Sequence, residues 1–309
     1  HVVLEENQAS GSGGAIYLST GDLEIRNSTF INNATVGAAD ASSGSGGAIY
    51  ASNFAEVSRI FILNSTFAGN QTGDSVLFSS GRGGAIYVLD AEGSLLLNIF
   101  NSTFYQNRTG DSLYDSVGDG GAIYANTFDG SASVNIYHST FSENATGLTW
   151  DGFPGDGQTI FLRYSSLNMA GTIMGNSTTA NGAAGTDCDY FGTVSIRDGG
   201  YNYIEDMGEC RKHFSRSNEG DPGLASTLSS NGGPTETIAL TTNSPAVDKI
   251  PTGATAHAIN LCGFDFADTD QRGEPRPGNA RCDIGAYEIV DENHPFMLPA
   301  TGFPKDQVT

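Results

Sequence analysis

The feature that most limits the fold is a period of 37 residues. Gly-Gly-Ala-Ile-Tyr recurs at Gly13–Tyr17, Gly46–Tyr50, Gly83–Tyr87 and Gly120–Tyr124, with spacings of 33, 37 and 37. A second string, Ser-Thr-Phe-x-x-Asn, places Phe30, Phe67, Phe104 and Phe141, and then Asn33, Asn70, Asn107 and Asn144, at a constant 37. A fixed period of this size is the mark of a stacked-repeat architecture. Two phased motifs per period predict two similar turns of about 18 residues each, with ladders repeating every second coil at multiples of about 4.8 Å.

The segment before each Ser-Thr-Phe alternates. Leu23, Ile60, Leu97 and Val134 form one aliphatic column and Ile25, Ile62, Ile99 and Ile136 another, while the residues between them vary. Period two with one constant face is a strand buried on one side. The Ile and Phe columns are therefore expected inside as ladders, with the Asn column as an amide ladder or turn anchor. The glycine pair suits a tight corner that needs positive φ and no Cβ. The intervening Phe61, Leu63, Phe100 and Tyr137 should point outward, and an exposed apolar stripe marks a contact surface.

Glycine contributes 41 of 309 residues, against 38% hydrophobic and 16% charged, which fits many short strands and tight turns and not disorder. The formal net charge of −21 repels phosphate backbones, so nucleic acid is excluded as a partner. No apolar run spans a membrane. No leader is recognisable, and the chain starts inside a repeat, so its first residues are expected to follow a longer or processed N-terminus. Cys188, Cys210, Cys262 and Cys282 form two local pairs without C-x-x-C, which suits two disulfides and an oxidising compartment.

Gly-Gly-Ala-Ile with Phe-x-x-Asn resembles the repeat of the chlamydial polymorphic outer membrane proteins, and of bacterial right-handed parallel β-helix proteins more widely. Four repeats carry the resemblance over about residues 1–150; Gly157-Gln-Thr-Ile160-Phe161 and Gly171–Asn176 look like further, degenerate coils. Nothing resembles the membrane barrel in which the chlamydial proteins end. Further on, Asp221-Pro-Gly-Leu224, Asn231–Thr235, Ser244–Asp248, Thr269–Gly273 and Cys282–Glu288 follow in an order similar to the choice-of-anchor Q module of bacterial surface proteins. These resemblances imply an all-β chain: a right-handed parallel β-helix over 1–184, a loop-rich capping module over 185–290 that closes the solenoid end, and an extended tail over 291–309. They also imply export to the cell surface. Disulfides Cys188–Cys210 and Cys262–Cys282 and an Asp270–Arg272 pair are expected within the module. In the tail, Leu298-Pro299-Ala-Thr301-Gly302 is similar to a sortase signal, flanked by Phe296 and Phe303.

The residues offer little catalytic chemistry. Asp187 and Asp189 flank Cys188, and Asp265, Asp268 and Asp270 form an acidic cluster that has oxygen ligands for calcium but no EF-hand spacing. Neither set lies on the repeating strand faces where a polysaccharide groove would run. No nucleophile elbow, phosphate loop or dinucleotide fingerprint occurs. The expectation is a non-enzymatic extracellular structural or adhesive protein without a cofactor. It would contact copies of itself, head to tail in a filament, or other surface components. The alternative is a β-helix that binds or cleaves polysaccharide.

Overall fold

A computed structural model describes residues 1–53, 57–263 and 267–290. Three parallel sheets wind into a solenoid. The Gly-Gly-Ala-Ile-Tyr segments make the first sheet, six strands from Ile16–Leu18 to Cys188–Phe191. The alternating segments make the second, six strands from Leu23–Arg26 to Ser195–Asp198. The Ser-Thr-Phe segments make the third, eight strands from Val3–Glu5 to Asn218–Glu219.

The coil is larger than the motif count suggests. Ile25 pairs directly with Ile62, and Ile62 with Ile99, so one coil takes the full 37-residue period and the ladders repeat in every coil, not every second one. The two motifs are different sides of one rung. The polar stretch between the third strand and the next glycine pair completes the rung, tied by single parallel bridges such as Ala38–Ser75, Ser75–Ser112 and Ser112–Thr149.

Inside, the predicted columns stack. Ile62, Ile99 and Ile136 are fully buried and Ile25 is 5% exposed. Phe30, Phe67, Phe104 and Phe141 stack with ring centroids 4.6, 4.8 and 4.7 Å apart, which is the rung spacing itself. Asn33, Asn70, Asn107 and Asn144 form an amide ladder with Nδ2 donating to the next Oδ1 at 2.9, 2.9 and 3.0 Å. Each Oδ1 also accepts the backbone N–H of the residue one rung earlier, and each Nδ2 also reaches a carbonyl of the preceding rung, as from Asn70 to Phe30. Each of these four asparagines begins an Asn-x-Thr glycosylation triplet, and burial in the ladder leaves no accessible amide there.

The glycine pair works as two separate devices. Gly83 has φ +66°, the left-handed region open to glycine. Its neighbour Gly84 is there for proximity, because a Cβ on it would lie 2.0 Å from the carbonyl oxygen of Gly121 in the next rung.

The three sheets continue past residue 184 through strands Cys188–Phe191, Ser195–Asp198, Tyr203–Ile204 and Asn218–Glu219. The end of the core is covered by a short 3-10 helix, Gly208–His213, with Met207, Cys210 and Phe214 packed onto the aliphatic column. Disulfide Cys188–Cys210 holds it to the last strand of the first sheet. Capping of the end is thus confined to residues up to about Glu219. The remainder of the expected capping module does something else: it runs back along the outside of the solenoid. Gly285 N–H donates to Gly171 O and Ala286 N–H to Thr140 Oγ1, Thr103 Oγ1 donates to Gln271, and Thr235 Oγ1 donates to Asn64 O.

Candidate contact surfaces

Phe61, Leu63, Phe100 and Tyr137 do point outward, but they are not free. Phe100 and Tyr137 are 6% and 4% exposed, in a second core with Ile173 of the solenoid and Leu240, Ile250, Leu261 and Ile284 of the returning segment, and Phe61 and Leu63 are half-buried at its edge. The stripe is an internal seam, so the expectation that it contacts a partner is overturned. The strand parity was right; the covering element comes from more than 100 residues downstream and leaves no trace in the repeat.

The seam also explains the Ser-Thr-Phe motif. The serine closes a corner: Ser65 Oγ donates to Leu63 O and accepts the Ser28 N–H. The phenylalanine goes inward. The threonine faces the seam. Gln271, fully buried, donates from Nε2 to Thr66 and Thr235 and accepts at Oε1 from Thr103 at 2.6 Å. Thr66, Thr103 and Thr140 are the residues the sequence reading missed. The signal was the recurrence of threonine, as Thr29, Thr66, Thr103 and Thr140, at an outward position.

The returning segment is held by paired charges. Asp270 and Arg272 pair at 2.7 Å with both side chains buried, and the guanidinium of Arg272 lies 3.7 Å over the Tyr287 ring. Arg276 is buried against Glu288 at 3.1 Å and donates to the carbonyls of Asp283 and Gly285. Burial pushes the Glu288 carboxyl up to about 7, against the pull of Arg276. Disulfide Cys262–Cys282 lies in the same core. His138 stands where other rungs place Asn27, Asn64 and Asn101, all at left-handed corners. It is sealed beneath the seam, and burial together with Arg276 holds its pKa well below the usual imidazole value.

Three of the carboxylate candidates are engaged in hydrogen bonds of the fold itself. Asp187 is buried, accepts from Ser177 and Thr159, and is pushed up to about 6 by its burial. Asp189 accepts from Thr186. Asp270, the last of the calcium candidate, has its oxygens taken by Arg272 and by the N–H groups of Glu274 and Glu288. Asp268 is exposed, and Asp265 lies outside the described residues, as do the tail positions Phe296, Leu298, Pro299, Thr301, Gly302 and Phe303. Among the described residues no group of three or more His, Cys, Asp or Glu side chains is placed to hold a metal ion.

An exposed apolar surface does exist, on the opposite part of each rung. Leu77 is 52% exposed, Tyr114 72%, Trp150 74% and Phe153 68%, with Val76 and Phe78 beside them. Leu77 and Tyr114 sit two residues beyond the bridged Ser75 and Ser112, and Trp150 one beyond Thr149, so consecutive rungs stack them into a ridge. The loops are fixed. Ser112 Oγ donates to Phe78 O and accepts Asp115 N–H, while Thr149 accepts Phe153 N–H at Oγ1 and donates its own N–H to Phe153 O. No two rungs share the residue type here, which hid the ridge from a search for repeated identities.

Compared with known proteins, the chain matches the Chlamydia polymorphic membrane protein repeat over residues 1–19, 27–52, 64–89 and 101–126. It carries four repeats of that type, each spanning the side of the rung with the glycine pair and the Asn ladder. No curated protein and no solved structure matches the chain. The matched repeats come from a family of surface membrane proteins, consistent with a cell-surface location; no helix among the described residues is long and apolar enough to cross a membrane.

Proposed function

Starting from four polymorphic-membrane-protein repeats on a parallel β-solenoid, we propose that this chain is an extracellular adhesive protein, displayed on a cell surface and making contact through its loop ridge. The observation that carries the reading is the row Val76, Leu77, Phe78, Tyr114, Trp150 and Phe153, exposed on loops that the solenoid holds rigid. Contiguous exposed apolar surface is costly for a soluble chain unless it is used. A rigid platform also loses little conformational entropy on binding. Two formed disulfides agree with an oxidising, extracellular setting.

The role is non-catalytic. Of the carboxylate candidates in the two acidic sets, Asp187 and Asp270 are spent on buried hydrogen bonds. A polysaccharide panel followed for reducing ends and unsaturated products should stay flat with and without calcium. Contact is tested with beads coated with the chain, scored for retention on cell monolayers and on layers of extracellular-matrix protein. The triple substitution Leu77→Ser, Tyr114→Ser, Trp150→Ser should abolish retention and leave the circular dichroism unchanged. Full retention by the triple variant would refute the reading.

A further inference from the structure

The ridge has a charge pattern as well as an apolar one. Asp40, Asp74, Asp115, Asp151 and Asp156 stand on its loops, and all are exposed. The two cations nearby are already engaged: Arg108 binds Asp111 at 2.6 Å, and Arg82 lies 3.7 Å from Asp119 and over the Tyr124 ring. Among the described residues no cation is paired with any of the five exposed aspartates. Two of these carboxylates are also held in place. Asp74 accepts the Asp111 N–H at 2.8 Å, and Asp115 accepts from Ser79. The result is an edge on which apolar side chains alternate with uncompensated negative charge, partly fixed, on a chain whose net charge is −21.

We propose that the ridge docks a basic polypeptide segment, one in which Lys or Arg alternates with apolar side chains; the inference rests on the ridge being the contact surface. Charge complementarity selects this partner over the others. A second copy of the chain would bring its own acidic ridge and be repelled. A sulfated or otherwise anionic glycan would be repelled likewise. A neutral glycan would use flat aromatic faces, but it gains nothing from the aspartates and has no use for Val76 and Leu77. A cationic segment satisfies both halves of the pattern, because lysine and arginine pair their heads with carboxylates while their stems lie on apolar surface. Such steering raises the association rate and weakens with salt.

The test uses the full chain and a synthetic peptide of alternating Lys with Leu and Phe, with a Glu-for-Lys version, a neutral-glycan array and sedimentation of the chain alone as comparisons. The Lys peptide should bind and the Glu peptide should not. The ridge set Asp74→Asn, Asp115→Asn, Asp151→Asn keeps each side-chain acceptor and should weaken binding by about tenfold while flattening its salt dependence. A control set removes the same charge elsewhere, at the exposed Glu5, Glu92 and Asp129, and should leave affinity within about twofold. Equal effects of the two sets would overturn the proposal, since binding would then follow net charge alone. Binding of neutral glycans that the ridge set does not alter, or self-association that the apolar triple substitution abolishes, would overturn it too. The bead assay separates the two levels of failure. If the apolar triple loses retention while the ridge aspartates make no difference, the contact surface stands and the basic partner falls. If neither set changes retention, the contact surface itself falls.

Discussion

Replacing Asn70 by alanine should show how much the solenoid depends on its amide ladder. Asn70 is fully buried and donates from Nδ2 to Asn107 Oδ1 at 2.9 Å and to Phe30 O at 3.0 Å. Its Oδ1 accepts Asn33 N–H at 3.1 Å and Asn33 Nδ2 at 2.9 Å. Alanine removes all four bonds. Asn107 Oδ1 still receives the Asn70 backbone N–H, but Phe30 O, the Asn33 N–H and one Asn33 amide hydrogen are orphaned. At about 1–3 kcal/mol for each buried unsatisfied group, the loss is at least ~3 kcal/mol and up to ~9. Asn7 provides the comparison. It sits at the exposed start of the same ladder and donates to Asn33 Oδ1 at 2.8 Å, so Asn7→Ala should cost under ~1 kcal/mol, water replacing the amide. Urea titration followed by circular dichroism, compared at equal slope, measures both. A loss under ~1 kcal/mol for Asn70→Ala, or equal losses at the two sites, would refute the argument that the ladder is a dry, cooperative spine.

Three further outcomes follow from the packing. Gly84→Ala should prevent folding or cost more than ~3 kcal/mol, since the new Cβ meets the Gly121 carbonyl and the Arg108 backbone together; melting or loss of soluble yield reports it. Replacing both Cys262 and Cys282 by serine should lower stability by ~3 kcal/mol, as expected for a loop of this size, and should raise protease cleavage within 221–290 before cleavage in the solenoid. The third concerns pH. His138 is neutral when folded, with its pKa depressed, so its contribution is complete above the unfolded value of 6.5 and drains away as pH falls below it. Glu288 acts in the opposite sense: raised to about 7, it takes up a proton earlier in the folded chain, and its share of stability grows as pH falls from 7 toward the unfolded value of 4.5. His138→Asn, which restores the residue of the other rungs, should therefore be more stable relative to the parent at pH 5 than at pH 7 by denaturant midpoint. An unchanged difference would show that the imidazole is not sealed.

Much of the fold was legible because stacked rungs repeat identities. The Ile, Phe and Asn columns need the same side chain at the same place, and the 37-residue constancy exposes them. The two disulfides were legible because each pair is local. The size of the coil was not, since Gly-Gly-Ala-Ile-Tyr and Ser-Thr-Phe look like two equivalent turns while they occupy different sheets of one rung. The first spacing of 33 held a hint. Ile16 and Ile49 are only 33 apart because the corner after Leu18 is shorter than the one after Asn53, so length varies at corners while the paired strands stay in register. Phe61, Leu63, Phe100 and Tyr137 could be assigned a direction but not a cover, because strand parity carries no information about a segment that returns from residues 221–289. The ridge escaped for the opposite reason: Leu77 and Tyr114 share a position and not an identity, and Trp150 stands one place earlier in its rung.

The returning segment also decides how the molecule would carry load. Its last described strand and the stretch to Val290 lie beside the middle rungs, where Arg272 donates to Glu288 O and Gln271 binds Thr66 and Thr103. A pull on that end enters the strap before it reaches the rungs, and it acts across the row of seam bonds from Thr140 to Asn64, so they share the tension or yield in sequence. The bridge between Cys262 and Cys282 withholds the span between them, a sequence separation of 20, from any extension, about 70 Å of contour. Under such a pull a rung beneath the strap would take load only after the strap had peeled from it, so the seam would yield before the solenoid core that it covers.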